Sequence, residues 1–258
     1  MHPEIVRIGS LTLKFYGLAL MVSFLIGTQL ALRRARKSAV PEEIIVWLAL
    51  LILMLAVLGS RTLYVFAHFY EFSASPASVF KIWEGGLTMY GGVVLATVGG
   101  IVFLRMKGQP VWKVTDMVAP SLALGEAITR VGCFMNGCCF GTPTSLPWGV
   151  VFPEDSFSAV VFPCTRIHPS QIYSSALVLL ILAYLLWREG RKRFDGELFW
   201  SYVAASASAR FLVDFTRYYG SGDYPDLFLS FHFNTNQLVS AILVVASVTM
   251  MLVLRRKA

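Results

Sequence analysis

Seven long apolar stretches constrain the fold of this chain more than any other feature. They cover residues 16–32, 44–66, 87–104, 114–128, 171–187, 198–215 and 236–254. A helix needs about 20 predominantly apolar residues to cross a bilayer core, because each residue rises only about 1.5 Å. The stretches therefore predict an all-α integral membrane protein with about seven transmembrane helices. The fourth stretch is short, and Pro120 interrupts it.

Composition agrees with a membrane protein and argues against a nucleic-acid partner. The chain is 56% hydrophobic and 14% charged, whereas soluble domains contain about 25% charged residues. A net charge of +7 would indicate nucleic-acid binding only if the basic residues gathered on one soluble surface. Here they punctuate the apolar stretches, so we expect membrane lipid and no nucleic acid among the partners.

The basic residues predict an orientation in the membrane. Fourteen of the 22 Lys and Arg residues follow the first, third, fifth and seventh stretches. They are Arg33, Arg34, Arg36, Lys37, Arg105, Lys107, Lys113, Arg188, Arg191, Lys192, Arg193, Arg255, Arg256 and Lys257. Cytoplasmic loops retain positive charge. We therefore expect one multi-pass domain over residues 1–258, with an external N-terminus and a cytoplasmic C-terminus.

Four arginines, Arg61, Arg130, Arg210 and Arg217, lie in or beside apolar stretches. A charge there costs about 2.5 kcal/mol or more unless it is paired or hydrated, so such residues are functional candidates. A helix-end arginine that reaches the lipid headgroups is the alternative, and it explains Arg217 adequately. Asp214 follows Arg210 by four residues, which predicts an ion pair on one helix face, either catalytic or purely structural.

Residues 131–169 form the longest segment expected on the external side. Their glycines and prolines predict ordered turns and a small external cap. All four cysteines lie there: Cys133, Cys138, Cys139 and Cys164. Because external compartments are often oxidising, a disulfide is plausible, and Cys164 with Cys138 or Cys139 is the preferred pair. The spacing lacks paired C-x-x-C motifs, so neither a metal nor a cofactor is expected.

Eight motifs follow one another in the order found in the prolipoprotein diacylglyceryl transferase family, and the chain resembles that family over nearly its full length. The motifs lie at residues 15–18, 59–64, 83–92, 130–141, 146–153, 168–173, 196–199 and 210–217. The resemblance implies a bacterial inner-membrane enzyme. It would move diacylglyceryl from phosphatidylglycerol to the lipobox cysteine of a prolipoprotein signal peptide, forming a thioether and releasing glycerol phosphate.

The implied reaction requires a group that stabilises the leaving phosphate. A guanidinium binds phosphate through paired, charge-assisted hydrogen bonds, so Arg130 and Arg210 are the main catalytic candidates, with Tyr90 as a third. Substrate-binding candidates come from the same motifs. They are Tyr16, Arg61, Gly91, Gly92, Asn136, Gly141, His168, Asp214 and Arg217.

Several candidates have a simpler structural explanation. Tyr16 can be an interfacial aromatic residue, and Gly91 and Gly92 can serve helix packing. His168 precedes a proline and can belong to a turn. These alternatives stay open at the level of sequence.

The chain departs from the usual family pattern at four positions. Tyr90 replaces His, Cys133 replaces Asn, Cys138 replaces Glu, and Asp214 replaces Glu. A tyrosine is mainly a hydrogen-bond donor near pH 7, so the general base is not identified. Two other functions remain open: a membrane thiol–disulfide oxidoreductase, which needs a reactive cysteine pair, and a non-catalytic lipid-binding or transport protein. Internal repeats that would favour a transporter are not visible.

Overall fold

The structure, a computed structural model, describes residues 4–8, 11–38, 40–73, 76–81, 85–220 and 234–257. A short antiparallel pair of strands, β1 (Glu4–Ile8) and β2 (Leu11–Lys14), precedes a series of helices. The long helices are α1 (Phe15–Ser38), α2 (Glu42–Ala67), α4 (Met89–Met106), α5 (Val111–Asn136), α7 (Ser170–Glu189), α8 (Glu197–Asp214) and α9 (Thr235–Lys257). The short elements are α3 (Phe69–Ser73), a 3-10 turn over Pro76–Phe80, and α6 (Phe157–Val161).

The predicted all-α membrane architecture is confirmed, because each of the seven apolar stretches coincides with a long helix. Five helices, α1, α2, α4, α7 and α9, are long and apolar enough to cross a membrane. The other two, α5 and α8, carry charged side chains within their sequences. Glu126 and Arg130 lie in α5, and Arg210 and Asp214 lie in α8. The candidate catalytic arginines Arg130 and Arg210 thus lie in these two helices.

The chain divides into two compact units, Met1–Leu30 with Thr115–Ala258, and Ala31–Val114. In the second unit, α2 packs along α4. Gly59 and Gly91 face each other so closely that a Cβ on either would overlap the backbone carbonyl of the other. Small residues permit such close helix approach in membranes. The prediction of one domain over residues 1–258 stays a prediction.

In the first unit, α8 packs against both α7 and α9. The core between helices is built mainly from small and aliphatic side chains. It contains Ala119, Ala123, Ala127, Val178, Ile181, Leu185, Leu198 and Ala209. The first half of α1 lies along α5, where a Cβ on Gly132 would overlap the side chain of Ala19. This contact brings the start of α1 to the end of α5.

Helix α5 is longer than the sequence predicted, which corrects two expectations. Pro120 lies inside a continuous helix, and residues 131–136 are helical rather than turns. The helix ends where Gly137 takes a φ of 68°. The amide of Gly137 donates to the carbonyl of Phe134, and that of Cys138 to the carbonyl of Cys133, each at 3.2 Å. This is the Schellman pattern of a glycine-terminated helix, so the cap begins at Gly137.

Asp116 of α5 anchors the start of α8. Its carboxylate accepts backbone N–H groups from Gly196 at 2.9 Å and Phe199 at 3.0 Å, so it caps a helix from a different part of the chain. Lys192 donates to the same carboxylate at 3.3 Å. Burial by itself would lower the pKa of Lys192. The hydrogen bond to Asp195 and the charge of Asp116 outweigh burial, so the pKa is raised. The carboxylate thereby satisfies the amide of the cap residue Gly196 and one amide of the first turn of α8.

The cap is held by backbone hydrogen bonds between segments that are distant in sequence. Val150 and Ile167 exchange two bonds at 3.0 Å, and Tyr218 donates its amide to the carbonyl of Phe140 at 3.1 Å. Beneath them lies a small apolar cluster of Phe140, Phe152 and Ile167. The segment after α8 is therefore part of the cap, which fixes the position of the residues that follow Asp214.

Candidate active site

The predicted pair between Arg210 and Asp214 is present at the end of α8. The guanidinium Nε lies 3.2 Å from Asp214 Oδ1. Tyr219 joins the pair, because its hydroxyl accepts from Arg210 Nη2 at 2.6 Å and donates to Asp214 Oδ1 at 2.7 Å. Burial raises the pKa of Tyr219 to about 12, so the hydroxyl keeps its proton. Asp214 and Tyr219 thus orient the Arg210 guanidinium.

Arg130 is held in a similar way on α5. Its Nη2 lies 3.7 Å from Glu126 Oε1, one turn earlier on the helix. The other carboxylate oxygen of Glu126 accepts from the Tyr202 hydroxyl at 2.9 Å. Tyr202 belongs to α8, so a helix neighbour in the core fixes the partner of Arg130. About a fifth of the Arg130 side chain, 22%, remains exposed, which leaves it accessible to a ligand.

The first unit brings Arg130 and Arg217 into electrostatic range of Arg210. The positive charges of Arg217 and Arg130 both repel the positive charge of Arg210. Arg217 extends over the ring of Tyr219, with Cζ 5.4 Å from the ring centroid. Like charges repel, and the repulsion is strongest where water is scarce. A cluster of this kind favours binding of an anion among the three guanidinium groups.

Three of the four cysteines gather at the end of α5. The sulfur atoms of Cys133, Cys138 and Cys139 all lie within 4.8 Å of one another. The Schellman turn explains this placement, because its hydrogen bond joins the backbone of Cys138 to that of Cys133. Cys139 follows with a φ of 60°. Hydrogen bonds from Cys133 and Cys138 and the charges of Arg217 and Arg130 lower the pKa of the Cys139 thiol, although burial opposes this.

The cysteine pairing preferred from sequence is corrected by this arrangement. All four cysteines are free thiols, and Cys164 is exposed. Cys164 lies outside the three-thiol group, so it forms no bridge with Cys138 or Cys139. The physical reason is the helix end at Gly137, which turns both of those residues back toward Cys133.

Other candidates of the first unit lie around the same helix end. Tyr16 is in electrostatic range of Arg130 and the three clustered cysteines, and the side chain of Asn136 hydrogen-bonds that of Cys138. A Cβ on Gly141 would meet atoms of His168, Ser170 and Thr216, each at 2.5 Å. The glycine is therefore required for three segments to converge.

His168 takes part in the local structure of the cap. Its Nδ1 lies 3.3 Å from the Tyr173 hydroxyl, which also accepts from the indole of Trp148 at 2.8 Å. Its carbonyl accepts from the amide of Gly141 at 3.1 Å. These contacts agree with the turn explanation, and a role for His168 in substrate binding stays a prediction.

Arg61 belongs to the second unit, where backbone carbonyls surround its guanidinium. It donates five hydrogen bonds, which is the number of N–H groups that an arginine has. The acceptors are the carbonyls of Ser78, Val79, Lys81, Gly85 and Gly86, at 2.6–3.4 Å. An arginine occupied in this way organises the loop before α4. The geometry favours that structural role over phosphate binding.

The remaining candidates also lie in the second unit. A Cβ on Gly92 would meet the carbonyl oxygen of Ala56 at 2.6 Å, so both Gly91 and Gly92 serve the packing of α4 on α2. Tyr90, at the start of α4, is 43% exposed. An apolar cavity of about 760 Å³ lies along α2 beside Arg61, between Leu53 and Phe80. Lipid binding by the glycines and catalysis by Tyr90 stay predictions.

Four residues of the site were not assigned a role from the sequence. Glu126 and Tyr202 fix Arg130, Tyr219 fixes Arg210, and Gln171 donates to the carbonyl of Cys138 at 2.7 Å. The i,i+4 spacing of Glu126 and Arg130 is a signal that could have identified that pair. The contacts of Tyr202 and Gln171 join distant segments, and Tyr219 lies beyond the end of α8, so no helical spacing predicts these contacts.

The family model described as prolipoprotein diacylglyceryl transferase matches residues 3–253. The phosphatidylglycerol–prolipoprotein diacylglyceryl transferase of Synechococcus elongatus is 36% identical over 193 residues, which cover 74% of this chain and 67% of that protein. The enzyme of the same name from Geobacillus kaustophilus is 32% identical over 97% of this chain and 92% of its own. The enzyme of the same name from Listeria innocua is 30% identical over 100% of this chain and 91% of its own.

Proposed function

We propose that this chain, which belongs to the prolipoprotein diacylglyceryl transferase family, transfers diacylglyceryl from phosphatidylglycerol to the lipobox cysteine of prolipoproteins. The observation that carries the proposal is the group of three arginines, Arg130, Arg210 and Arg217, at one end of the first unit. Such a group fits the phosphate of the lipid donor. The names of the relatives supply the two substrates.

The reaction makes a carbon–sulfur bond and breaks a carbon–oxygen bond. The lipobox thiolate attacks the glyceryl carbon that carries the phosphate, and the electron pair of the C–O bond leaves with glycerol phosphate. Negative charge therefore grows on the departing phosphate oxygen. A donor aimed at that oxygen lowers the barrier, because its attraction is stronger in the transition state than in the bound lipid.

The two principal arginines have the preorganisation that this role requires. Arg210 is oriented by Asp214 and Tyr219, and Arg130 is oriented by Glu126. Neither guanidinium has to be reorganised as charge develops, and the fork geometry provides two-point contact with phosphate. We assign Arg130 and Arg210 to leaving-group stabilisation and Arg217 to binding of the same phosphate.

Substrate contacts follow from the positions of the other candidates. We propose that Tyr16, Asn136 and Gly141 bind the headgroup or the peptide near the three arginines, and that Tyr90 acts as a hydrogen-bond donor. Asp214 acts through Arg210, so it is a positioning residue. No described side chain is assigned as the general base that removes the thiol proton.

The protein is a membrane protein, and we propose which membrane it occupies and how it is oriented from the charge pattern. The 14 basic residues in alternate loops favour a bacterial inner membrane with the N-terminus external and the C-terminus cytoplasmic. Residues 137–169 would then form the external cap. Both substrates lie in the bilayer, so lateral entry between helices is the expected route.

The direct test is transfer by the purified protein. The chain is reconstituted with phosphatidylglycerol and a synthetic lipobox peptide, and mass spectrometry follows the peptide. We expect a mass increase equal to one diacylglyceryl group and the release of glycerol phosphate in equal amount. A peptide with serine in place of the lipobox cysteine is the control. Binding of phosphatidylglycerol without a thioether product would favour a non-catalytic lipid-binding protein.

A further inference from the structure

The three-thiol cluster at the end of α5 has no role in the phosphate chemistry described above. The structure brings the thiols of Cys133, Cys138 and Cys139 within 4.8 Å of one another. We propose that the cluster is a three-cysteine site for Zn²⁺ whose fourth position is taken by the lipobox thiol of the acceptor peptide.

The sulfur positions fit one metal ion. A zinc–sulfur bond is about 2.3 Å long, so three thiolates around one ion lie about 3.8–4.0 Å apart. The observed separations of up to 4.8 Å need to shorten by about 1 Å or less to reach this geometry. Rotation about the side-chain χ1 angles can supply such a shift without movement of the backbone.

The backbone around the cluster is fixed in a form that suits a metal site. Cys133 is in the last turns of α5, and the Schellman bond holds Cys138 against it. Cys139 has a φ of 60°, a conformation that is unfavourable for a residue with a Cβ. Strain of this kind persists where surrounding structure enforces it, and it often marks functional sites.

The surrounding charge suits a metal–thiolate complex. Zn²⁺ with three thiolates carries one net negative charge, and Arg130 and Arg217 lie in electrostatic range of the cluster. Gln171, which is 1% exposed, also fixes the carbonyl of Cys138 at 2.7 Å. Positive groups and a rigid support both stabilise an anionic complex at this position.

The number of ligands indicates a reactive site. Among the described residues, the group that contains these thiols has three members. Structural zinc sites close with four protein ligands, whereas catalytic sites have three and leave one position for water or substrate. A coordinated thiol is deprotonated, so the acceptor thiol would be activated without a general base.

The inference rests on the proposed transferase function, in which the acceptor thiol is the nucleophile. The acceptor thiol binds the ion and releases its proton to water. A sulfur lone pair then forms the bond to the glyceryl carbon, while the C–O electron pair leaves with glycerol phosphate. The product thioether is neutral and a weaker ligand, so it dissociates. The ion keeps its charge and oxidation state throughout.

The first experiment measures metal directly. Protein purified with reductant should contain one zinc per chain by elemental mass spectrometry. Cys138→Ser and Cys139→Ser should each lower zinc content by more than half, whereas Cys164→Ser, the matched control outside the cluster, should retain it. Protein without zinc in the presence of supplied Zn²⁺ would overturn the proposal. A native disulfide between two of the three cysteines would also overturn it, and would favour a thiol–disulfide oxidoreductase.

The second experiment keeps the wild-type chain and replaces zinc with Co²⁺. The sulfur-to-cobalt absorbance should correspond to three bonds and should rise by one third when the lipobox peptide binds. A peptide with serine in place of that cysteine should cause no rise. An unchanged spectrum with the cysteine peptide would refute the fourth-ligand assignment.

Activity then separates the two proposals. Removal of zinc should lower transfer by roughly tenfold or more at pH 7, since only a few per cent of a free thiol is then thiolate, and added Zn²⁺ should restore it. Full transfer by metal-free protein would overturn the zinc inference and leave the transferase function intact. Suppose that the cobalt-substituted protein shows the expected rise with the peptide, whereas the zinc-loaded protein shows no transfer. This result would contradict the transferase function instead.

Discussion

At the scale of single residues, the hydroxyl of Tyr219 helps to hold the Arg210 guanidinium in place. It contacts both Arg210 and Asp214, although it lies outside α8. Hydrogen bonds to charged groups are worth about 1.5–3 kcal/mol. The arginine that we place at the phosphate is therefore held by a residue from the cap.

The chemical role of the arginines is tested by exchange for lysine. Arg130→Lys and Arg210→Lys keep the charge but lose the planar fork, and a loss of roughly 2–4 kcal/mol in the transition state corresponds to about 30- to 1,000-fold in rate. We expect this loss in single-turnover transfer at saturating phosphatidylglycerol. Weak lipid binding can be overcome by concentration, whereas lost transition-state stabilisation cannot.

The control for this exchange is Arg256→Lys, which alters an exposed residue in the last turn of α9 and should leave the rate unchanged. Near-normal rates in both Arg130→Lys and Arg210→Lys would contradict the assignment of leaving-group stabilisation. The family membership would then stand without this mechanism.

The positioning role of Tyr219 gives a second prediction. Tyr219→Phe should lower the transfer rate by about tenfold, because Arg210 loses one of its two orienting partners. The KM for phosphatidylglycerol should change less than kcat. Tyr218→Phe is the matched control, since the ring of Tyr218 stacks on Phe140 at 5.7 Å and phenylalanine preserves that contact. Equal effects of the two variants would indicate general destabilisation rather than positioning.

At the scale of elements, the end of α5 determines where the site lies. The helix runs past Pro120 and stops at Gly137, and this stop places Cys138 beside Cys133. An end one turn earlier would separate the three thiols and change the direction in which the cap begins. The same helix carries Arg130, so one element supplies both the arginine and the cysteine cluster.

The helix end is tested at Gly137 itself. Gly137→Ala places a Cβ in the left-handed region and within 2.9 Å of the Ser156 Cβ, so we expect destabilisation by about 1–2 kcal/mol or more. Thermal unfolding in detergent should show a lower midpoint. Gly190→Ala is the control, because a Cβ there meets nothing within 4 Å and φ is −72°. An unchanged midpoint for Gly137→Ala would show that this turn is not required for stability.

At the scale of the whole molecule, the protein presents apolar side chains outward and polar side chains inward. Met54, Leu180 and Val245 are each at least 67% exposed, whereas Asp116, Gln171 and Asp214 are buried. A soluble protein shows the reverse distribution. In a bilayer, exposed apolar residues contact lipid, and buried polar groups satisfy one another.

Orientation in the membrane is tested with reporter fusions. Reporters fused after Lys37, Lys107 and Arg193 should be cytoplasmic, and a reporter within residues 142–145 should be external, because the basic clusters stay on the cytoplasmic side. Alkaline phosphatase and a cytoplasm-active fluorescent protein give opposite signals at each position. A reversed signal at any of the four positions would contradict the proposed topology.

The sequence by itself determined the membrane class, the seven helices and the family, because these depend on local composition, on helical spacing and on motifs read in order. It also determined the pair of Arg210 and Asp214, since i,i+4 residues meet on any helix. The family motifs identified Arg130 from sequence, because a motif is a local pattern of residues.

Only the tertiary structure decided which partners the candidate residues have. Tyr202 on Glu126 and Gln171 on Cys138 are contacts between segments far apart in the chain, and Tyr219 contacts Arg210 from the segment that follows α8. It also extended α5 beyond its predicted end, because Gly132 packs against Ala19 and the helix stops only where Gly137 can adopt a positive φ. Packing between distant segments outweighs local propensity there, and for that physical reason the three cysteines meet.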